Sequence, residues 1–288
     1  QAFDNDRLDI TVGRTNPTLD FATNDIACEF ISSIICAQPG SWYFTNDNQA
    51  YPASTWGSRI NFVPAPNYYI RTGAFEDDPS QYAANQNGFN WNVEGATGVF
   101  IPLEVGYATS FSNSRYPVKY DIGGYYDDAT YTQPNTLGLS RGRSAFYIQG
   151  LQTIWRPNPN TKQSLQVFGG AIVYGPGAAY WGQYYAGLFD RAPFASRPDD
   201  TIGLIASYYA MSSTYNPNKS SQWIMEANYG FKVYSGVTFK PYVQYIVNPN
   251  NVGLGIPTVK QPSNATVVGF QVNIDVGALF KFPTFVAY

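Results

Sequence analysis

The chain of 288 residues contains no histidine, which removes the commonest general base and metal ligand and every Ser-His or Cys-His catalytic arrangement. Two cysteines, Cys28 and Cys36, are too few for a tetrahedral zinc site without histidine. A disulfide closing a small loop is the better reading of that pair, with a free reactive thiol as the alternative, and it implies an oxidising compartment. Neither a metal nor a cofactor is called for. Charge is scarce at 13% of residues, against roughly 25% in an ordinary soluble domain. The net charge of -3 and a pI near 4.9 offer no general field for nucleic acid. No run of about 18 apolar residues occurs, so no transmembrane helix is available. Neither an initiator Met nor a signal peptide stands at Gln1-Ala2-Phe3, and the expectation is a chain that begins partway through a longer one.

What the chain has in quantity is Tyr (24), Phe (19) and Gly (26), a composition that favours strands and an all-β fold. Twelve segments alternate apolar and polar residues between Gly, Pro, Asn, Asp and Ser clusters: 7–14, 55–63, 68–76, 101–111, 116–126, 143–155, 164–174, 181–190, 201–211, 221–233, 237–247 and 264–276. In one of them Ile101, Leu103, Val105 and Tyr107 share a face opposite Glu104, Gly106 and Ala108. Strands of a soluble sandwich run about five or six residues. These run nearer ten, the length that crosses a bilayer at a tilt of roughly 45°.

The connections tend to alternate between tight (64–67, 112–115, 234–236) and long (15–54, 77–100, 127–142, 248–263), as in an outer-membrane barrel. The links 175–180 and 191–200 depart from that rule. Tyr107, Phe111, Tyr116, Tyr125, Tyr126, Tyr184 and Tyr185 are placed near strand ends to form the aromatic girdles. The fold class is therefore a transmembrane antiparallel β-barrel, one domain over 1–288, with lipid as its outer partner.

Several segments resemble the OprB-type carbohydrate-selective porins of Gram-negative outer membranes. They are RLDITVGRTNPTLDF (7–21), CEFISSIICAQPGSW (28–42), STWGSRINFVPAPNYYIRTGAFEDDP (54–79), GFNWNVEGATGVFIPLEVGY (88–107), RPDDTIGLIASYY (197–209) and FKPYVQYIVNPN (239–250). The resemblance implies a barrel of about sixteen strands that passes monosaccharides and similar small solutes by diffusion, without cofactor or energy. It implies about four strands ahead of the twelve seen here, and relatives of this kind are often homotrimers. The segment 277–288 runs past the point where the family usually stops.

The hairpin 56–75 carries the candidate pore residues. Its even positions, Trp56, Ile60, Phe62, Tyr68 and Ile70, make an outward face, so Arg59, Asn61, Tyr69, Arg71 and Phe75 point inward. Arg59 and Arg71 are expected nearly opposite each other, a costly pairing tolerable only toward water, since a basic residue facing lipid costs about 2–4 kcal/mol at the midplane. Glu104, Lys119 and Asp121 point inward by the same count, and an acidic lining facing a basic one suits a polyhydroxyl solute that exchanges water for hydrogen bonds. Trp91 and Asn90, in a long loop (77–100) that could fold into the lumen, are candidates to stack on a sugar and read its hydroxyls, the alternative being that Trp91 packs the loop on the wall. Glu226, Asn228, Lys240 and Gln244 are placed on a wider part of the pore. Arg14 shares parity with outward Leu8, Ile10 and Val12, and is kept as a candidate because the family pattern has an arginine there. A Cys28–Cys36 bridge stapling the long first loop (15–54) contributes about 3 kcal/mol on the chain-entropy model. Two other functions compete: a barrel enzyme, which without histidine needs an unusual site, and a plugged or structural barrel that docks a partner protein at its loops or edge.

Overall fold

The structure is a computed structural model that describes residues 2–4, 6–26, 29–32, 34–36, 38–44, 54–82, 91–132, 138–213, 221–249 and 263–280. Its strands in chain order are β1 (Ala2–Phe3), β2 (Leu8–Thr15), β3 (Ile35–Cys36), β4 (Gln38–Pro39), β5 (Thr55–Phe62), β6 (Tyr68–Asp77), β7 (Gly98–Ala108), β8 (Val118–Thr132), β9 (Leu139–Trp155), β10 (Ser164–Tyr174), β11 (Tyr180–Arg191), β12 (Thr201–Met211), β13 (Gln222–Tyr234), β14 (Val237–Val247) and β15 (Ala265–Ile274). A short helix α1 (Val276–Phe280) follows, and single 3-10 turns occupy Pro17–Leu19, Gly40–Phe44 and Pro79–Tyr82. Among the described residues β3 and β4 pair only with each other. The rest form one antiparallel sheet in simple up-and-down order from β1 to β15, and among the described residues its two edges do not pair, so the barrel wall is not closed.

All twelve expected segments are strands of this sheet, with shifted ends. The largest shift is in β8 and β9, which extend to 15 and 17 residues and reduce the expected long link 127–142 to 133–138. Two cross-strand ion pairs hold the extension: Arg143 Nη2 to Asp127 Oδ2 at 2.8 Å and Arg141 Nη2 to Asp128 Oδ2 at 2.6 Å. Opposite charges across a ladder stabilise the pairing where lipid no longer does. The turn between β5 and β6 uses Asn67 at φ +69°, a left-handed position that Asn tolerates, and the Tyr68 amide donates to the Ala65 carbonyl at 3.1 Å.

The two faces of the wall differ as the alternation requires. Outward side chains such as Ile101, Leu103, Val105, Ile122, Phe146, Ile148, Val243 and Tyr245 are exposed, while inward Phe100, Glu104, Asp121, Tyr147, Gln149, Gln183, Phe189, Glu226 and Lys240 are buried. The long first loop does the burying. Its Phe21, Ile26, Phe30, Ile34, Ile35 and Trp42 are each 0–6% exposed and form one cluster with Phe75, Phe100, Tyr125, Tyr147, Phe168 and Phe189 of the wall. Full burial of such side chains stabilises by about 1.5–3 kcal/mol each.

Two of the expected girdle aromatics belong to this inner layer. Tyr125 meets Trp42 at 4.8 Å between ring centroids, and the Tyr185 hydroxyl donates to Gln149 Oε1 at 2.7 Å, so both face inward. Strand parity places them there: Tyr125 lies beside outward Tyr126, and Tyr185 beside outward Tyr184. Small residues let the inner rings lie flat on the wall. A Cβ at Gly123 would stand 2.5 Å from the Tyr147 hydroxyl and 2.6 Å from the Leu103 carbonyl oxygen.

Candidate functional site

The two arginines of the hairpin both point to the inner face, but they are not opposed. The ladder pairs Arg59 with Gly73 and Asn61 with Arg71, a diagonal offset, because the turn spans 63–67 and shifts the register from the one expected. The repulsion is relieved further by loop Asp20. Arg59 Nη1 donates to Asp20 Oδ1 at 3.1 Å and its Nη2 pairs with Asp9, while Arg71 Nη1 donates to the Asp20 carbonyl. Arg71 also receives support from Asn61, whose Oδ1 accepts from Nε at 3.2 Å, and from Glu104, its direct ladder partner, at 3.6 Å. Its guanidinium lies 4.9 Å over the Tyr69 ring.

Glu104 is 1% exposed, and its Oε2 accepts from the Ala22 amide and the Tyr147 hydroxyl, both at 2.7 Å. Lys119 donates to the Thr23 carbonyl at 2.9 Å and pairs with Asp25 at 3.2 Å. Asp121 is buried opposite Gln149, which itself donates to the Thr23 carbonyl at 2.9 Å. The same arrangement recurs across the sheet. The Glu226 carboxylate accepts from the Ile31 and Ser32 amides at 2.9 and 2.6 Å, and Lys240 donates to the Glu29 carbonyl and carboxylate, both at 2.9 Å. Gln183 donates to the Ile34 carbonyl at 2.8 Å and accepts from the Ser41 amide at 2.9 Å.

A backbone without its own ladder must find partners when buried. Here wall carboxylates take the loop's N–H groups and wall cations take its carbonyls. Inward Glu226, Asn228, Lys240 and Gln244, expected on a wider part of the pore, form one patch anchored to the loop: Asn228 Nδ2 donates to the Glu29 carbonyl at 3.0 Å and Gln244 Nε2 to Glu226 at 3.1 Å. The acidic loop partners Asp20, Asp25 and Glu29 were not singled out from the sequence. Their signal is the apolar spacing of Phe21, Ile26 and Phe30 within a polar loop, too rich in large side chains for a segment left in water.

Two candidates are misplaced. Arg14 and Trp56 are ladder partners on the outward face, no register shift interrupts β2 and β5, and Arg14 Nη2 donates to the Ser54 carbonyl at 2.7 Å. Trp91 is 62% exposed, receives a hydrogen bond from Trp56 Nε1 on its carbonyl at 3.1 Å, and meets Trp56 edge-on at 5.7 Å with Arg14 over its ring. These three residues form a cluster on the outer side of the wall at the long-loop end, because Trp91 packs on an outward-facing ring. Neither Arg14 nor Trp91 lines the inner face. Asn90 and Cys28 lie outside the described residues, and the expected Cys28–Cys36 bridge with them.

A long-stranded sheet whose outside is apolar and whose charged inside carries a folded loop has the two faces of an outer-membrane β-barrel wall. A family comparison agrees, matching residues 1–275 to "Carbohydrate-selective porin, OprB family". The chain belongs to the OprB family, whose members are β-barrel proteins of the Gram-negative outer membrane. It is 26% identical over 301 residues to Porin B of Pseudomonas aeruginosa, an alignment covering 92% of this chain and 64% of that protein. The chain thus spans somewhat under two thirds of that relative's length. The high-pH structure of Pseudomonas putida OprB superimposes with a TM-score of 0.83 at 21% identity, covering 95% of this chain and 71% of that one. The low-pH structure of the same protein gives 0.59 at 19% identity, covering 95% and 64%. At those identities the likeness shows the fold.

Proposed function

We propose that the protein is a passive outer-membrane channel for monosaccharides and similar small polyhydroxyl solutes, with the described residues of its first long loop narrowing its bore. The observation that carries the reading is the split between faces: hydrocarbon-compatible side chains outside, and hydrogen-bonding side chains inside that hold a loop across the path. Arg59, Arg71, Asn61, Glu104, Lys119 and Asp121 then set the bore chiefly through the loop. Their remaining donors and acceptors exchange with a passing sugar, and weak binding suits flux. The description of the family supports a sugar as the solute, and the name of Porin B supports a channel.

Liposome swelling with glucose, larger sugars and charged solutes tests this, on the full-length protein and on Arg59→Ala with Arg71→Ala. The double variant is expected to fold and to discriminate less between sugars. Unaltered discrimination removes these arginines from the mechanism. A second reading, a stopped barrel that serves as a docking protein, draws on the depth at which the loop is buried. It predicts no current steps in a planar bilayer and no glucose entry.

A further inference from the structure

A cavity of about 490 Å³ lies on the inner face beneath the loop, at the end of the sheet where the turns 109–117 and 156–163 sit. Among the described residues four cations line it, Lys119, Arg156, Lys162 and Arg191, against one carboxylate, Asp25, in a chain whose net charge is -3. Three of those cations have acidic partners: Lys119 with Asp25 at 3.2 Å, Lys162 with Asp199 at 2.7 Å, and Arg191 with Glu29 at 3.8 Å.

Arg156 differs. It is 7% exposed, its Nη2 donates to the Pro159 carbonyl, its guanidinium lies 4.3 Å over the Phe111 ring, and its buried Nε has no hydrogen-bond partner among the described residues. No ion pair joins it to a carboxylate among the described residues. A buried cation left without a counter-charge is costly, and an entering oxyanion that supplies one is favoured. The cavity also presents the hydroxyls of Ser110 and Thr161 and the apolar surface of Leu151, and its volume is in the range that takes a small solute.

We propose that this cavity is a subsite for a sugar acid, a polyhydroxylated small molecule with one carboxylate, held as it passes the turn end of the channel. The proposal rests on the channel reading above and deepens it, adding charge selection to sugar passage. Phosphorylated sugars carry the same oxyanion chemistry and form the second arm of the test.

The experiment is single-channel recording of the full-length protein in planar bilayers, with glucose, gluconate or glucose 6-phosphate titrated on either side. Gluconate is expected to interrupt the current at a severalfold lower concentration than glucose. Arg156→Gln is expected to abolish that difference while leaving the glucose response unchanged. Lys162→Gln, at a side chain 73% exposed and therefore safe for folding, is expected to reduce the difference by about half. Equal effects of gluconate and glucose, or a gluconate response untouched by Arg156→Gln, overturn the subsite. A response confined to glucose 6-phosphate overturns the carboxylate assignment. Absence of current steps and of glucose entry instead sinks the channel reading itself, so the two failures are distinguishable.

Discussion

Asp20 lies between two arginines that a sequence can only aim. Parity along the hairpin gave the direction of Arg59 and Arg71, since period two fixes the face of each side chain. It could not give their partners, because Asp9 and Asp20 reach Arg59 from another strand and from a loop with no period of its own. Glu104 is where a single residue has the most to lose. Glu104→Ala strands the Ala22 amide, the Tyr147 hydroxyl and a half-buried Arg71. It is expected to lower stability by about 2–4 kcal/mol in urea unfolding from lipid vesicles, with Glu104→Gln recovering part of the loss. A change within about 0.5 kcal/mol for Glu104→Ala would mean that the carboxylate anchors nothing. Outside the spanning strands, the Lys162 ammonium and then that of Lys232 hydrogen-bond Asp199 at 2.7 and 3.2 Å and hold its carboxyl below the usual carboxylate range. Its folded pKa is below the unfolded one, so its stabilising contribution is present above the ordinary range and lost as pH falls through the folded value. Asp199→Asn should therefore flatten a small acid-side decline in stability, and an identical decline in the variant would contradict the assignment.

Among the elements, the twelve long strands were legible because one face must suit lipid and the other must not. Their ends were less so. β8 and β9 run on past the expected boundary on cross-strand ion pairs, which alternation of apolar residues does not signal. From the sequence the first loop, 15–54, reads as a long extracellular loop and 77–100 as one that could fold into the lumen, whereas the described residues of the first loop pack on the inner face. The inner layer of aromatics that beds the first loop, Phe75, Phe100, Tyr125 and Tyr147, becomes visible only once strand neighbours are known. If that loop narrows the bore, cutting its far anchor should widen it. Glu226→Ala removes acceptors for the Ile31 and Ser32 amides and is expected to raise single-channel conductance and make it noisier. Unchanged conductance would show that the loop is held by its apolar side chains alone.

For the whole molecule, everything follows from the sheet having one dry and one wet face. An open edge in hydrocarbon leaves backbone groups unsatisfied, and among the described residues the β1–β2 and β15 edges do not pair. The loop's docking uses polar groups that lipid would not accept, and the proposed channel and subsite lie on that same side. Thiol labelling in lipid vesicles tests this most directly, with Cys28 and Cys36 replaced by Ser and single cysteines placed at Arg59, Arg71, Ile60 and Ile70. The account predicts that a water-soluble maleimide reacts at positions 59 and 71 while 60 and 70 are protected by lipid; the reverse pattern would contradict it.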